Sequence, residues 1–239
     1  HAFFVPVQGC PHPWQGEVTP ENKSQAIDHL LHIGEAVFAT VPNKAVRAVW
    51  WPRFVMLAET FIDRLIDDMA NGRRPEKFEV KFNHSFEKGP EIHARADRVD
   101  MDKPAGGWII MDYKSGALPA KKDVAAGREP QLSMEALMAH KKGRTVAGLE
   151  YWKIGGKESG KAETRTFDAA ETQTLMTEAE AGLQNLWDDL VRGSRAWPAV
   201  PGGVSALEKA GICRTCDYAG ICRFAEWHGV ETETQNQKA

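Results

Sequence analysis

Two aspartates and a lysine hold the chemistry most readily read from this chain. The segment Ala94-Arg-Ala-Asp-Arg-Val-Asp100 is followed closely by Trp108-Ile-Ile-Met-Asp-Tyr-Lys-Ser-Gly116. Side chains alternate along a strand with period two, so Asp112 and Lys114 project from the same face of one strand. The loop from Met101 to Gly107 contains Pro104, Gly106 and Gly107, and it reads as a hairpin turn that brings Asp97 of the preceding strand beside Asp112. Two hard oxygen donors set this way suit Mg²⁺ or Mn²⁺. A cation so held lowers the pKa of a water and offsets charge on a phosphoryl group under attack. The adjacent lysine can orient that water or help deprotonate it. An isolated Asp or Lys in a strand is ordinarily a solvated surface charge. Here the run Trp108 to Met111 is apolar, as in a strand covered on both faces. An acid and a base placed together at its end carry a desolvation cost that points to function.

The elements that must position these residues follow from periodicity and punctuation. Residues 1 to 19 are rich in Pro and Gly and irregular. Thr19 as N-cap, with Pro20 behind it, opens a helix to about Ala39. A second helix runs from about Asn43 to Asn71, because Val46, Val49, Trp50, Phe54, Leu57, Phe61, Leu65 and Met69 recur at helical spacing. Pro52 inside it predicts a kink or a later start. After Gly72 the pattern changes to strands at Phe78 to Phe86, Glu91 to Met101 and Trp108 to Tyr113, then a helix from about Glu129 to Lys141 and a strand from Gly148 to Lys153. Glu79, at the start of the first strand, is either a further acidic site residue or an exposed strand glutamate. A helix from Ala169 to Arg192 carries an apolar stripe that packs on the core. Pro198 and Pro201-Gly-Gly203 then form a linker. Gly155-Gly-Lys-Glu-Ser-Gly160-Lys161 has the spacing of a phosphate-binding loop, but Ala162 replaces the hydroxyl residue that would hold Mg²⁺. It reads as a hairpin tip, and no ATPase activity is expected.

Three motifs in order resemble the RecB-like branch of the PD-(D/E)XK nuclease superfamily. They are Ala94-x-x-Asp97-Arg98-Val99-Asp100, Asp112-Tyr113-Lys114-Ser115-Gly116, and Pro130-Gln131-Leu132 at the opening of a helix. The resemblance covers roughly Lys77 to Ile154. It implies an α/β fold: a restriction-endonuclease-like core with a mixed central sheet flanked by helices, a helical N-terminal elaboration and a Cys-containing C-terminal one. It also implies that Asp97 and Asp112 are metal ligands, Lys114 the catalytic lysine and Gln131 the motif glutamine of the catalytic group. His1, in His1-Ala2-Phe3-Phe4, matches the position of the family's metal-binding histidine. Two departures touch substrate positioning more than the metal triad: Ala94 stands where Gly is usual, and Glu135 where a Tyr commonly follows the Gln. On this reading residues 1–239 form a single nuclease domain, with a helical region at 1–72, a catalytic core at 73–167, and a helix and Cys segment at 168–239.

Near the C-terminus, Cys213-Arg-Thr-Cys216-Asp-Tyr-Ala-Gly-Ile-Cys222 sets three thiols close together. A disulfide would use two and leave one, and with no signal peptide or Cys-rich framework a reducing cytosol and a metal are the better reading. The same ending resembles RecB-like nucleases of the AddB type, from AddAB helicase–nucleases, in which the trio and a distant Cys hold a [4Fe-4S] cluster. Four thiolates are the usual complement. Cys10 is the remaining Cys in the chain; a fourth ligand upstream of residue 1 is the alternative. Zn²⁺ held by Cys213, Cys216, Cys222 and His228 stays open as well.

The 239 residues, 42% of them hydrophobic, suffice for one sizeable core. A net charge of −3 excludes a globally basic nucleic-acid binder, so DNA contact depends on local patches such as Lys121, Lys122 and Arg128. No apolar run reaches membrane-spanning length, and a cytoplasmic protein is expected. A start without Met reads as an excised domain or processed product. The expected function is metal-dependent DNA cleavage of exonuclease type in double-strand-break repair, beside a helicase subunit or domain. A catalytically silent DNA-binding scaffold and a zinc-binding interaction module are the alternatives. The intact set of Asp97, Asp112 and Lys114 argues against the first.

Overall fold

The computed structural model describes residues 1–85, 91–154, 163–193 and 216–223. The chain divides into two compact units, His1–Gln184 and Asn185–Ala239. Among the described residues, the first unit is built on a mixed sheet of β1 (Arg73–Ser85), β2 (Glu91–Asp102), β3 (Gly107–Lys114), β4 (Val146–Lys153) and β5 (Thr164–Phe167), in that spatial order. The pairs β1–β2, β2–β3 and β4–β5 are antiparallel, and β3–β4 is parallel. A parallel pair cannot be joined by a tight turn. Here the crossover contains α3 (Lys121–Ala125) and α4 (Gln131–Lys141).

Both faces of the sheet are covered. On one, Leu132, Ala136 and Ala139 of α4 and Leu175 and Met176 of α5 (Ala169–Trp187) share a core with Val99, Ile110, Leu149 and Tyr151. On the other lie α1 (Lys23–Ala39) and α2 (Lys44–Ala70), which bury Ile33, Ala58, Ile62 and Leu65 together with Phe3 and Val18 of the irregular N-terminal segment. Successive β4 residues serve the two faces in turn. Tyr151 joins the α4 side, whereas Trp152 stacks on Phe61 of α2 with ring centroids 5.5 Å apart. This is why β3 and β4 read as nearly unbroken apolar runs.

Local chemistry explains most boundaries. Thr19 N–H donates to Asn22 Oδ1 at 2.8 Å around a 3₁₀ turn, Pro20–Asn22, that leads into α1. The Asn43 side chain accepts from Ala45 N–H at 2.9 Å and caps α2. Pro52 neither delays nor ends α2, which runs unbroken through it. Strand β1 begins at Arg73, five residues before the expected Phe78, because Pro75 is tolerated on an edge strand and coincides with a register irregularity between Pro75 and Lys77. Helix α5 is regular only to Trp187 and continues as a π turn over Asp188–Arg192. The short helix α3 was not expected; five residues are too few for a periodic signal. The phosphate-loop-like segment 155–161, the linker at 198–203, Cys213 and His228 lie outside the described residues.

Candidate active site

The site forms where the sheet forks. Strands β2 and β3 pair as far as Arg98 opposite Met111, and the same register continued one step sets Asp97 opposite Asp112. There the ladder ends: Tyr113 N–H donates at 3.0 Å to Oδ2 of the Asp97 side chain. On the other side of β2, Glu79 of β1 adopts φ 52°, and the β1–β2 register is the same on either side of it, with Phe78 opposite Arg98 and Val80 opposite Ala96. Such sparsely populated backbone persists where surrounding structure enforces it. The Glu79 carboxylate pairs outward with Arg95 at 3.0 Å, on an exposed surface.

Asp112, Lys114 and Gln131 close a ring of contacts. Gln131 Nε2, at the first residue of α4, donates to Asp112 Oδ1 at 2.5 Å. Lys114 Nζ donates to Gln131 Oε1 at 3.0 Å and lies 2.9 Å from Asp112 Oδ2. One turn further along α4, Glu135 Oε1 accepts from the same Gln131 Nε2 at 3.3 Å. Asp112 and Glu135 are 3% and 1% exposed, so neither carboxyl can rely on water for solvation. Burial raises the Asp112 carboxyl above its ordinary value and the negative charge of Asp97 adds to this, against the opposing pull of Lys114 and Gln131. Burial pushes Glu135 up to about 8, helped by the charges of Asp112 and Asp97. Tyr151, opposite Asp112 on β4, has a buried hydroxyl whose pKa burial also raises, and Lys114 Nζ sits 5.4 Å from its ring centroid.

The donor set fits a hard divalent cation. Asp112 Oδ2 feels the Lys114 ammonium but receives no aligned hydrogen bond, and the buried Glu135 Oε2 has none either. Buried carboxylate oxygens left so are costly unless something charged meets them. Among the described residues no three His, Cys, Asp or Glu side chains converge as a ready-made cage. Mg²⁺ does not need one, since it retains waters and takes one or two carboxylates.

The remaining expected site residues fall as follows. The His1 ring meets Phe78 of β1 edge-on at 6.2 Å. Lys121 is paired with Glu171 at 2.5 Å and Arg128 with Asp123 at 2.5 Å, while Lys122 is exposed. Cys10 is half-buried against the N-terminal aromatic cluster. In the second unit, Cys216 and Cys222 are exposed free thiols, the latter ending a short helix, Ala219–Cys222. Sequence reasoning named Glu135 as a departure from the family motif that touches substrate positioning, without placing it among the site residues. Its spacing of four from Gln131, on one helix face, was the available signal. The second aspartate of the first motif, Asp100, belongs elsewhere: it is fully buried and held by Arg98 at 2.6 Å and Arg73 at 2.8 Å on the α2 face.

Residues 13–223 match a family model described as the PD-(D/E)XK nuclease superfamily. The chain is similar to an uncharacterized protein of Rickettsia bellii (strain RML369-C), 29% identical over 124 residues that cover 49% of this chain and 14% of that protein. It is also similar to an uncharacterized protein of Rickettsia felis (strain ATCC VR-1525 / URRWXCal2), 28% identical over 159 residues that cover 61% of this chain and 18% of that protein. The chain thus spans less than a fifth of the length of these curated relatives. The crystal structure of SSO0001 aligns over 87% of this chain and 98% of its own, at 13% identity and a TM-score of 0.33.

Proposed function

The chain belongs to the PD-(D/E)XK nuclease superfamily, and from that premise we propose that it hydrolyses DNA phosphodiester bonds with Mg²⁺ or Mn²⁺ held by Asp97 and Asp112. The observation that carries this reading is the ring of Asp112, Lys114 and Gln131 beside Asp97 at the forked sheet, with Asp112 Oδ2 buried against the Lys114 ammonium at 2.9 Å. When bound, the cation supplies a water of lowered pKa and offsets charge on the phosphoryl group. Asp97 and Asp112 orient it. Lys114, 27% exposed at its side chain, reaches the opening and can steady the attacking water or balance charge developing on phosphate. Gln131 holds Lys114 and Asp112 in fixed relation.

The finer reading is an exonuclease in recombinational double-strand-break repair, of AddB type, acting in the cytoplasm beside a helicase subunit or domain. Its C-terminal Cys213, Cys216 and Cys222, with Cys10, would bind a [4Fe-4S] cluster, and His1 would add a metal ligand. Among the described residues no helix is long and apolar enough to cross a membrane. The test is cleavage of end-labelled linear and closed circular DNA, with Mg²⁺ and with chelator, by the protein and by Asp112→Asn and Asp97→Asn. Linear DNA is expected to be degraded from its ends only with the cation, and neither variant is expected to cut. Equal cutting of circles would end the exonuclease reading, and full activity in either variant would end the site assignment. Metal content decides the cluster: iron and acid-labile sulfide support it, zinc supports the tetrahedral alternative, and neither metal removes both.

A further inference from the structure

Glu135 is the most deeply buried carboxylate on the α4 side, and none of the roles above uses it. Gln131 and Glu135 lie one helical turn apart on the face of α4 that meets β3 and β4. The Gln131 amide has two ends with opposite demands. Its Nε2 faces Asp112 Oδ1 and Glu135 Oε1, and its Oε1 faces the Lys114 ammonium. Rotating the amide by half a turn would set a carbonyl against the acceptor oxygens of Asp112 and Glu135 and an NH₂ against a cation. With Asp112 alone, one acceptor would resist that rotation; Glu135 supplies the second from inside the core. No salt bridge to Glu135 is formed among the described residues, so it is an expensive residue to bury there.

We propose that Glu135 is a positioning residue of this nuclease site, locking the Gln131 amide so that its carbonyl holds the Lys114 ammonium at the mouth of the fork. The proposal rests on the nuclease reading for its consequence in rate, but not for its geometry. Glu135 touches neither substrate nor reacting atoms. It acts through Gln131, in the way partners behind a metal site orient the groups in front of them.

The test uses the full chain and three variants: Glu135→Leu, Glu135→Gln and Gln131→Ala. Single-turnover cleavage at saturating Mn²⁺ is expected to fall about 10- to 100-fold in Glu135→Leu, with Mn²⁺ affinity by calorimetry within about twofold of the parent. Glu135→Gln keeps a carbonyl acceptor for Gln131 and is expected to retain most of the rate. The double variant Glu135→Leu with Gln131→Ala is expected to be no slower than Gln131→Ala alone, since the two residues act in series. A readout free of catalysis is the side-chain NH₂ pair of Gln131 in the ¹⁵N–¹H spectrum of the metal-free protein, identified by its loss in Gln131→Ala. It is expected to be well dispersed in the parent and to move towards free-amide positions in Glu135→Leu.

Parental cleavage in Glu135→Leu would overturn the proposal, as would additive losses in the double variant. A tenfold weaker Mn²⁺ affinity in both Glu135 variants would make the carboxylate a ligand and overturn it too. If the parent itself cuts no DNA, the nuclease reading has failed, and the Gln131 resonance alone decides the geometry. Should Glu135→Leu not fold, Glu135→Met takes its place with the same outcomes.

Discussion

Lys114 and Asp112 stand two residues apart on one strand face, yet they answer to different physics. The aspartate is buried and needs a positive partner, while the lysine reaches water and has partners to spare. Removing the ammonium deletes a like charge next to a bound cation, so metal affinity is expected to stay level or rise. Lys114→Ala is therefore expected to bind Mn²⁺ as well as the parent but to lose on the order of a hundredfold in single-turnover cleavage. A variant that binds metal poorly yet cuts normally once saturated would make the lysine a structural partner only. Glu135 gives a second prediction at this scale. Its carboxyl ionises near an ordinary 4.5 when unfolded and is pushed up to about 8 in the fold. A raised carboxyl pKa contributes stability that is fully present below the unfolded value and is lost as pH rises through the folded one. Glu135→Gln cannot ionise and escapes that loss. In chelator, the Tm of Glu135→Gln relative to the parent is expected to climb between about pH 5 and about pH 8; a constant difference would contradict the burial argument.

At the scale of elements, the fork and the start of α4 make the site. Strand β4 fixes the far side, because it pairs in parallel with β3 and sets Tyr151 against Asp112. That pairing depends on close approach at Gly148. A Cβ there would lie 2.9 Å from the Phe167 carbonyl oxygen on β5 and 3.0 Å from Ile109 Cδ1 on β3. Backbone cannot step aside cheaply in the middle of a sheet, so Gly148→Ala is expected to cost about 1–3 kcal/mol of overpacking. Urea unfolding measures it, and an unchanged midpoint would mean that β4 has slack the packing does not suggest.

At the scale of the first unit, the α2 face of the sheet is held by charge as well as by apolar packing. Arg73 of β1 donates to Asp100 of β2 at 2.8 Å and to Glu150 of β4 at 2.7 Å, and Arg64 of α2 reaches Glu150 at 3.0 Å. These carboxylates are essentially inaccessible to water. Breaking such a network by removing one partner leaves uncompensated charge, whereas exchanging all of it for apolar groups need not cost anything. Arg73→Met is accordingly expected to lose about 3 kcal/mol, the lower end for a buried pair because Arg98 and Arg64 remain. A shift in urea midpoint with unchanged slope checks it. The same network explains why Asp97 and Asp100, three residues apart in one motif, have unrelated duties.

Period-two alternation put Asp112 and Lys114 on one face, and the Pro- and Gly-containing turn joined Asp97 to them. Both are local consequences of chain geometry, legible without any tertiary information. The order of the longer strands and helices was legible for the same reason, because each carries its own apolar period, whereas the five-residue α3 and four-residue β5 are too short to carry one. What the tertiary structure decided concerns contacts between residues far apart in the chain. The Gln131 amide meets Asp112 only because the crossover returns α4 to the mouth of β3, and no pattern around Gln131 states the direction of that return. Burial of Glu135 depends on β3 and β4 closing over a helix face that would otherwise be wet. The left-handed backbone of Glu79, between Phe78 and Val80 in the pairing of β1 with β2, is a further case, since the residue type gives no warning of it. Pairing of Arg73 with Glu150 spans 77 residues. A strand or helix announces its own faces; which charges the fold presses against them is settled only when distant segments meet.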